Sequence, residues 1–348
     1  MRSGNYKESV AELIVLSDSA IVWVWSAILV LLLAAAPYLL NSYALSFVIL
    51  ILITGTGALG LHLLTGSTGL ISLGHVGFLL LGAYAYAVPV AKYGASPLVG
   101  LLLAGVVPAL ASVVVGLPSL RLKGLYLAIT TLAFSFIISH IVLQMSWLTN
   151  GARGLAVARP ELFGIDFDSD ARFAHLCLLV AAATLFAVLN IERSRVGRAF
   201  MAVRDNDIAA RTMGVNLESY KLRAFMASAF FSGIAGALFG TYLSFVSVDG
   251  FPFLMSIEAL AILIVGGLGS TLGAVIGTVF IVLLPEAGRV ALSLLGANAE
   301  KLFSTGAHEL RSVLYGVVII LFLRFEPRGL AGLWRDVKRL WVNWPLRF

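Results

Sequence analysis

The chain has 348 residues, of which 60% are hydrophobic and 12% are charged, with a formal net charge of +6 and a mean hydropathy of +0.98. Soluble domains carry about 25% charged residues, so this composition excludes a soluble enzyme and predicts an all-α polytopic membrane protein. Anionic lipid and cytoplasmic loops explain the positive charge, so no nucleic-acid partner is expected. The lone Cys177 excludes an intrachain disulfide and a thiolate metal cluster, and no metal site is predicted.

The chain divides into three parts. Residues 1–20 are polar or mildly apolar and precede no signal-peptide cleavage site, so they predict a cytoplasmic N-terminal segment. A single transmembrane domain covers 21–324, and 325–348 form a basic tail whose Trp334, Trp341 and Trp344 suit the cytoplasmic interface. The predicted crossings are approximately residues 21–40, 44–64, 69–91, 98–117, 124–143, 174–191, 224–246, 254–266, 270–284 and 312–324.

The distribution of basic residues favours ten crossings over nine. Only the glycine-rich Gly266–Gly269 separates the eighth crossing from the ninth, and a nine-crossing alternative would fuse them. With ten crossings and a cytoplasmic N-terminus, 17 of the 24 Lys and Arg residues lie inside. A fused crossing would put the basic tail outside, against the positive-inside rule. Both termini are therefore predicted to be cytoplasmic.

Polar residues inside two crossings are candidates for a polar path. The stretch Gly66–Gly77 contains glycines, Ser72 and His75 where the third crossing should begin, and glycine-broken membrane helices occur in protein-buried or water-lined places. Thr131 and Ser135 lie on one face of the fifth crossing. The alternative is that His75 only fixes packing and that the hydroxyls bond back to their own helix.

Small residues recur every fourth position in two further crossings. Gly236 and Gly240 in the seventh, and the run Gly269, Gly273 and Gly277 that leads into the ninth, predict close helix packing, with lining of a path as the alternative. Glu258, near the outer end of the eighth crossing, is interpreted as a helix-capping carboxylate.

Two outside segments are long enough to fold locally. They span Gln144–Phe173 and Pro285–Arg311, and each is either a solvated loop or a docking surface for an extracytoplasmic partner.

Several absences indicate that energy comes from another subunit. No Gly-Lys dipeptide occurs, so a P-loop is excluded, and there is no H-E-x-x-H or G-x-S-x-G motif. No row of membrane-embedded carboxylates resembles a proton relay. The chain is therefore expected to be no enzyme and to hold no cofactor.

The most informative segment is 192–223, which carries seven Lys and Arg residues between two apolar stretches. Val196–Arg204 favours a helix. A second, short helix is predicted with Asp205 as its N-cap, Asp207 in its first turn and Gly214 as its C-terminal stop. Such a helix suits a groove of a soluble partner, whereas the alternative is a loop that only sets topology.

This segment resembles the cytoplasmic coupling loop of permease subunits of ABC importers for branched-chain amino acids. The family pattern is S-x-x-G-R-A-x-x-A-x-R-[DE]-[ND]-[DE]-x-A-A-x-x-x-G-[IV]-[ND]-x-x-x-x-K-L. Matching residues include Ser194, Gly197, Arg198, Ala199, Ala202, Arg204, Asp205, Asn206, Asp207, Ala209, Ala210, Gly214, Val215, Asn216, Lys221 and Leu222. Further likeness lies at Gly69–Tyr84, Tyr126–Leu132, Thr149–Leu155 and Ile264–Gly277, and spans about 45–330. Arg153 departs from the family pattern, which has Asn or Asp there.

The resemblance implies an importer subunit with a fold similar to the ten-span permeases of the vitamin B12 importer type. It implies that two cytoplasmic ATPase subunits, which bind ATP and Mg²⁺, contact the coupling loop. The contacting residues would be Arg198, Arg204, Asp205, Asp207, Ala209, Ala210 and Gly214. A second homologous permease subunit and an extracytoplasmic binding protein are the other implied partners, in a bacterial or archaeal inner membrane.

Leucine, isoleucine and valine are the substrates that the resemblance implies. Close relatives of the family are thought to import urea or short amides, which stays an alternative. A stand-alone secondary transporter is the alternative from another class.

Overall fold

A computed structural model describes residues 20–119, 122, 124–162, 164–294, 307–326 and 328–343. The predicted N-terminal segment up to Ser19, and the tail from Trp344 onward, lie outside the described residues. The described part is almost entirely helical, as the composition predicts.

The helices are numbered in chain order. They are α1 (Ala20–Leu39), α2 (Ser42–Leu61), α3 (His75–Ala87), α4 (Pro97–Ser119), α5 (Leu125–Gln144), α6 (Ser146–Thr149), α7 (Asp170–Arg193), α8 (Arg195–Asp205), α9 (Asp207–Thr212), α10 (Leu217–Tyr242), α11 (Leu254–Gly266), α12 (Thr271–Leu294), α13 (Ala307–Phe325) and α14 (Gly329–Asn343). π-Helical turns at His62–Gly66 and Val88–Lys92 extend α2 and α3. Four short strands complete the described structure: β1 (Leu155–Ala156), β2 (Glu161–Leu162), β3 (Ile165–Asp166) and β4 (Phe245–Val246).

Seven described helical stretches are long and apolar enough to cross a membrane. They are Ser42–Gly66, His75–Lys92, Pro97–Pro118, Leu125–Gln144, Asp170–Arg193, Leu217–Tyr242 and Thr271–Val290. Three shorter apolar stretches are Val30–Leu39, Leu254–Gly266 and Val313–Phe325. The prediction of an all-α polytopic membrane protein is confirmed, whereas the number of crossings stays a prediction.

Helix α10 lies at the centre of the bundle and packs against α2, α3 and α4. Its glycines allow this because a Cβ on Gly233 would collide with the carbonyl of Ala104 in α4, and one on Gly236 with the carbonyl of Leu79 in α3. Lipid supplies no hydrophobic force between helices, so close backbone contact is a main source of packing energy in a membrane.

Helices α11 and α12 form an antiparallel hairpin rather than one fused helix. Gly273 lies against the carbonyl of Gly266, and Gly277 lies against that of Ile262. The two helices therefore run in opposite directions. The reversal is a tight turn in which Gly267 and Gly269 have φ of +113° and +83°, values that favour glycine. Gly269 therefore belongs to the turn and not to a helix face.

The predicted outside segment beginning at Pro285 starts as a helix, because α12 continues through that proline to Leu294. A proline removes one backbone donor, and membrane helices tolerate the loss when neighbouring groups satisfy the freed carbonyl. Glu286 and Arg289 therefore project from a helix.

The segment Gln144–Phe173, which is predicted to lie outside, is folded rather than a simple solvated loop. β1 pairs antiparallel with β4, and β2 pairs with β3. Ser169 caps α7, and its hydroxyl accepts a hydrogen bond from the N–H of Arg172 at 3.3 Å. Arg153, which departs from the family pattern, is exposed on this segment.

Polar contacts mark the two opposite ends of the bundle. At one end, Tyr43 at the start of α2 donates a hydrogen bond to Glu286 near the end of α12, at 2.8 Å. At the other end, His62 and Thr271, from the opposite ends of the same helices, both contact Glu192. We call these two ends of the bundle the Glu286 end and the Glu192 end.

Candidate functional site

The basic segment between α7 and α10 folds into two short capped helices. Ser194 caps α8 by accepting hydrogen bonds from the N–H groups of Val196 and Gly197 at 3.1 and 3.3 Å. The apolar face of α8 is buried, with Phe200 packed in a cluster that includes Phe225 of α10. The predicted helix over Val196–Arg204 is confirmed by α8.

The N-cap of α9 is Asn206, so the predicted N-cap at Asp205 is wrong. The Asn206 side-chain oxygen accepts hydrogen bonds from the N–H groups of Ile208 and Ala209, both at 3.0 Å. Asn206 has the extended backbone that an N-cap requires, with φ −162° and ψ 108°. Asp205 is still the last residue of α8, where its carboxylate accepts a hydrogen bond from Arg204.

The end of α9 is set by Gly214, as predicted. Its φ is +84°, and its N–H donates to the carbonyl of Arg211 at 3.1 Å. The next N–H, of Val215, donates to the carbonyl of Ala210 at 3.0 Å. This is the bonding pattern of a helix terminated by a left-handed glycine. Asn216 then caps α10 through its side-chain oxygen.

Helix α9 exposes large apolar side chains beside basic ones. Ile208 is 72% exposed and Met213 is 84% exposed. The α8–α9 surface is defined here by the exposed residues Arg198, Asp205, Ile208, Ala209, Arg211, Met213 and Gly214. Among the other predicted contact residues, Ala210 is buried and Asp207 is half-buried. Exposed apolar residues rimmed by charge are typical of a protein-interaction site.

Arg204, another predicted contact residue, reaches from α8 to two glycine turns. Its Nη1 donates a hydrogen bond to the carbonyl of Gly66 at 2.9 Å. A Cβ on Gly69 would come within 3.0 Å of the Arg204 side chain, and one on Gly269 would collide with its guanidinium. The guanidinium therefore lies between the turn that follows α2 and the turn that joins α11 to α12.

Glu192, at the end of α7, joins the same two turns. Its Oε1 lies 2.7 Å from His62 Nε2 and accepts a hydrogen bond from the Ser67 hydroxyl at 3.0 Å. Its Oε2 accepts one from the Thr271 hydroxyl at 2.5 Å. The His62 side chain is 1% exposed and that of Glu192 is 24% exposed. Helix α7 is thus bonded to both the π-helical turn of α2 and the first turn of α12.

Sequence reasoning missed the pairing of Glu192 with His62. The available signal was a carboxylate and a histidine at the ends of two apolar stretches. They are 130 residues apart in the chain, and no local pattern relates residues at that distance.

The residues 67–74 form a non-helical segment inside the bundle. The C-terminal end of this segment lies inside the bundle, because the next residue, His75, is packed against Gly57 in the interior of the stretch Ser42–Gly66. Side-chain hydroxyls satisfy the backbone: Thr131 accepts from the N–H of Leu73 at 3.0 Å, and Ser256 accepts from the N–H of Val76 at 2.9 Å. Unpaired backbone groups are costly in a membrane, so these hydroxyls make the broken helix possible.

The other predicted path hydroxyls are also engaged in packing. Ser72 accepts a hydrogen bond from the N–H of Gly74 at 3.3 Å. Ser135 donates to the carbonyl of Leu132 at 2.7 Å, and its backbone lies against Gly77. Ser72, Thr131 and Ser135 do not line the cavity described next.

A cavity of about 670 Å³ lies between α2, α3 and α10 on one side and α11, α12 and α13 on the other. It extends from Glu286 and Arg289 at one end of the bundle to His75 and Gly57 at its middle. Arg289 holds Glu286 through two nearly parallel hydrogen bonds, Nη2 to Oε1 at 2.6 Å and Nε to Oε2 at 3.0 Å. A small molecule entering at the Glu286 end would reach the depth at which helix α3 begins.

His75, the fourth predicted path residue, lines the deep end of this cavity. Its Nδ1 lies 3.1 Å from the Ser232 hydroxyl, which itself donates to the carbonyl of Ser228 at 2.8 Å. A hydroxyl has one proton to donate, so Nδ1 is the donor to Ser232. A neutral ring would then have Nε2 as an acceptor.

We expect His75→Ala to lower the transport rate per assembled complex by about fivefold to tenfold. This fold-change corresponds to the net free energy of one lost hydrogen bond. Subunit abundance in the membrane should change little. His75→Asn retains a donor near the Nδ1 position and should transport as poorly, because it lacks Nε2. Equal falls in uptake and abundance for both variants would mean that the histidine only supports packing.

Glu258 does not cap α11, so its interpretation as a helix cap is wrong. Helix α11 begins at Leu254, which places Glu258 in the second turn, where the N–H groups are already bonded within the helix. Its carboxylate accepts a hydrogen bond from the Tyr315 hydroxyl at 3.2 Å, and both residues line the cavity.

The predicted packing glycines lie at close backbone contacts. Gly236, Gly273 and Gly277 face carbonyl groups of neighbouring helices, and Gly240 faces the side chain of Val246. Only Gly269 differs, since it contacts Arg204 from a turn.

Comparison with known proteins identifies related membrane permeases. Residues 43–323 match the family described as branched-chain amino acid transport system / permease component. The permease protein LivM of the high-affinity branched-chain amino acid transport system of Escherichia coli K12 is 31% identical over 90% of this chain and 75% of its own length.

Matches extend to differently named permeases. The probable branched-chain amino acid transport permease LivH of Methanocaldococcus jannaschii is 27% identical over 81% of this chain and 90% of its own length. The inner membrane ABC transporter permease YjfF of E. coli K12 is 25% identical over 47% of each chain. No solved structure matches the chain.

Proposed function

Because the chain belongs to the family of permease components of branched-chain amino acid transport systems, we propose that it is the membrane subunit of an ATP-driven importer of leucine, isoleucine and valine. The family match shows that the protein is a permease component of a transport system. The substrates are those in the names of the relatives, LivM and LivH.

The α8–α9 surface is the single observation that carries the energetic part of this proposal. Two cytoplasmic ATPase subunits would bind ATP and Mg²⁺, and one of them would cover Ile208 and Met213, which are 72% and 84% exposed. A short, capped, amphipathic helix is a recurring ligand for a groove on a partner. Arg198, Asp205 and Arg211 around it give the surface charges of both signs, which favour a groove with complementary charges.

Movement of α9 would reach the membrane helices through α8. Arg204 contacts the turns at Gly66 and Gly269, and Glu192 bonds His62 and Thr271. ATP-driven closure would therefore shift α2 and α12 together and change access to the cavity between them. Rigid helices with a few hinge residues are the usual means of such transitions.

The rest of the assembly follows from the family. A second homologous permease subunit would complete the membrane part, and an extracytoplasmic binding protein would deliver substrate at the Glu286 end. Ten crossings, a vitamin B12 importer type of fold, cytoplasmic termini and a bacterial or archaeal inner membrane are the topology proposed. The contacts support it, since Glu192, His62 and Thr271 all lie at or next to the ends of crossings that are predicted to face the cytoplasm.

Reconstitution tests the proposed function. Proteoliposomes containing this chain with a second permease, the ATPase subunits and a binding protein should take up leucine only when ATP is supplied to the ATPase side. The chain alone should take up none. Uptake by the chain alone would instead indicate a stand-alone secondary transporter and would overturn the proposal.

We expect Gly214→Val to weaken ATPase binding while leaving membrane insertion intact. No atom of the described residues lies within 4 Å of the added Cβ, so the cost comes from the backbone, whose φ of +84° is strained for a β-branched residue by about 1–3 kcal/mol. Copurification of the ATPase and its stimulation by binding protein are the measurements.

Gly94→Val is the matched control for this variant. Gly94 also has a positive φ, +64°, and no atom within 4 Å of an added Cβ, but it lies between α3 and α4, away from α9. An equal loss of ATPase binding in both variants would contradict the role of α9.

A further inference from the structure

Helix α14 has one apolar face that the bundle leaves exposed. Leu333, Trp334 and Val337 lie on one side of the helix, and they are 44%, 60% and 55% exposed. Arg335 and Lys338 are exposed on the rest of its surface. A helix with a charged side and an apolar side that contains tryptophan is typical of a segment lying in the interface of a membrane.

The start of α14 lies at the Glu192 end of the bundle. A Cβ on Gly267, in the turn between α11 and α12, would collide with the carbonyl of Arg328, and one on Gly329 would collide with the backbone of Gly267. That turn comes directly before Thr271–Val290, which is long and apolar enough to cross a membrane. The end of a crossing helix lies at the membrane surface, and α14 therefore begins at that surface.

The bundle covers only the first turn of α14. Ala331 and Gly332 are buried, whereas every residue from Leu333 to Lys338 is exposed. Tryptophan is enriched at the level of the lipid headgroups, because its ring is apolar and its N–H is polar. An apolar face that contains Trp334 and begins at the membrane surface has lipid as its nearest partner.

The charge of this part of the chain matches an anionic leaflet. Residues 324–348 contain six Lys and Arg residues and two acidic residues, Glu326 and Asp336. Anionic headgroups of the cytoplasmic leaflet attract such a segment, and each basic residue near the surface raises its affinity roughly fivefold. The Glu192 end, where α14 begins, is the end predicted to face the cytoplasm.

We propose that α14 lies on the cytoplasmic leaflet and binds anionic phospholipid. Leu333, Trp334 and Val337 insert between the headgroups, and Arg335 and Lys338 contact the anionic ones. The partner is therefore a bilayer surface, and this binding face is separate from the α8–α9 surface that is assigned to the ATPase.

Lipid bound to α14 acts on the same turn as α8. Gly267 of that turn contacts Arg328, which directly precedes α14, and Gly269 contacts Arg204 of α8. The turn is therefore held from two sides. Fixing α14 on the leaflet makes the turn a firmer support for α8, so anionic lipid should raise the leucine transported per ATP hydrolysed. This consequence, unlike the lipid contact itself, rests on the proposed importer function.

Nitroxide labels at two neighbouring positions of the complete importer test where α14 lies. Val337→Cys puts a label on the apolar face, and Lys338→Cys puts the matched control on the polar side, while the native Cys177 is buried. In phosphatidylcholine vesicles with about 30% phosphatidylglycerol, lipid-soluble oxygen should relax the label at 337, and a water-soluble nickel chelate should relax the label at 338. In phosphatidylcholine alone, the ratio of lipid-buried to water-exposed label at 337 should fall at least about fivefold.

Three outcomes would overturn the lipid contact. Equal access of the nickel chelate to both labels would show that α14 lies in water. Protection of the label at 337 from oxygen and nickel alike, seen only with the ATPase subunits bound, would show that protein covers the apolar face. An equal depth of this label in both kinds of vesicle would contradict the binding of anionic lipid.

Transport in the same vesicles tests the effect on coupling. The wild-type importer should transport at least about twofold more leucine per ATP with phosphatidylglycerol than in phosphatidylcholine alone. The double variant Arg335→Gln/Lys338→Gln should match wild type in phosphatidylcholine and lose this rise. Equal ratios for wild type in both lipids, or equal impairment of the variant in both, would refute the effect on the turn. If wild type takes up no leucine in either lipid, the proposed function fails, whereas the label depths still decide the lipid contact.

Discussion

Glu192→Ala is expected to uncouple ATP hydrolysis from transport. The substitution removes the acceptor for His62, Ser67 and Thr271, so α7 loses its bonds to the turns at both α2 and α12. A coupling free energy of about 1–3 kcal/mol corresponds to 5–150-fold, and we expect leucine transported per ATP hydrolysed to fall about tenfold or more. The two rates are measured together in proteoliposomes of the complete importer.

Two further variants sharpen this result. Glu192→Gln keeps one acceptor oxygen and replaces the other with an amide donor, so an intermediate effect is expected. Glu218→Ala removes an exposed acid from the first turn of α10 at the same end of the bundle and should transport as wild type. Unchanged coupling in Glu192→Ala, or an equal loss in Glu218→Ala, would refute the transmission route.

Gly236→Ala is expected to destabilise the helix bundle strongly. The added Cβ would collide with the backbone carbonyl of Leu79, and a backbone carbonyl moves only if α3 moves away from α10. Overpacking of a well-packed interior costs about 1–3 kcal/mol, occasionally more, and we expect the upper part of this range. Thermal unfolding of the purified subunit in detergent should show a clear fall in midpoint.

Gly316→Ala is the control for this steric argument. Gly316 lies within α13, and no atom of the described residues lies within 4 Å of an added Cβ, so the methyl group meets none of them. Alanine favours a helix over glycine by about 1 kcal/mol, and the midpoint should stay the same or rise. A fall of equal size in both variants would mean that the contact at Leu79 is not limiting.

The features predictable from sequence are those encoded locally. The order of the apolar helices follows from composition, and the end of α9 follows from Gly214 because one residue type satisfies one backbone conformation. The cap of α9 shows the limit of such reasoning. Asp205 and Asn206 are adjacent and both are good N-caps, and only the backbone shows that Asp205 is still helical.

The features that the sequence left open depend on distant partners. The predicted path hydroxyl of Thr131 accepts from the backbone of Leu73, a role that requires knowing which helices are neighbours. The predicted cap at Glu258 was wrong because α11 begins at Leu254. Glu258 therefore lies in the second turn, where it lines the cavity instead of capping the helix.

The hydrogen bonds between side-chain hydroxyls and the backbone around the 67–74 segment have a consequence for the order of biosynthesis. The N–H of Val76, in the first turn of α3, bonds Ser256, which is 180 residues further along the chain. At about 5–20 residues per second, the ribosome needs roughly 10–40 s to reach that partner. His75–Lys92 also has a hydropathy of 1.2, the lowest of the seven long stretches. The hydrogen bond that satisfies the first turn of α3 can therefore form only after Ser256 in α11 has been synthesised.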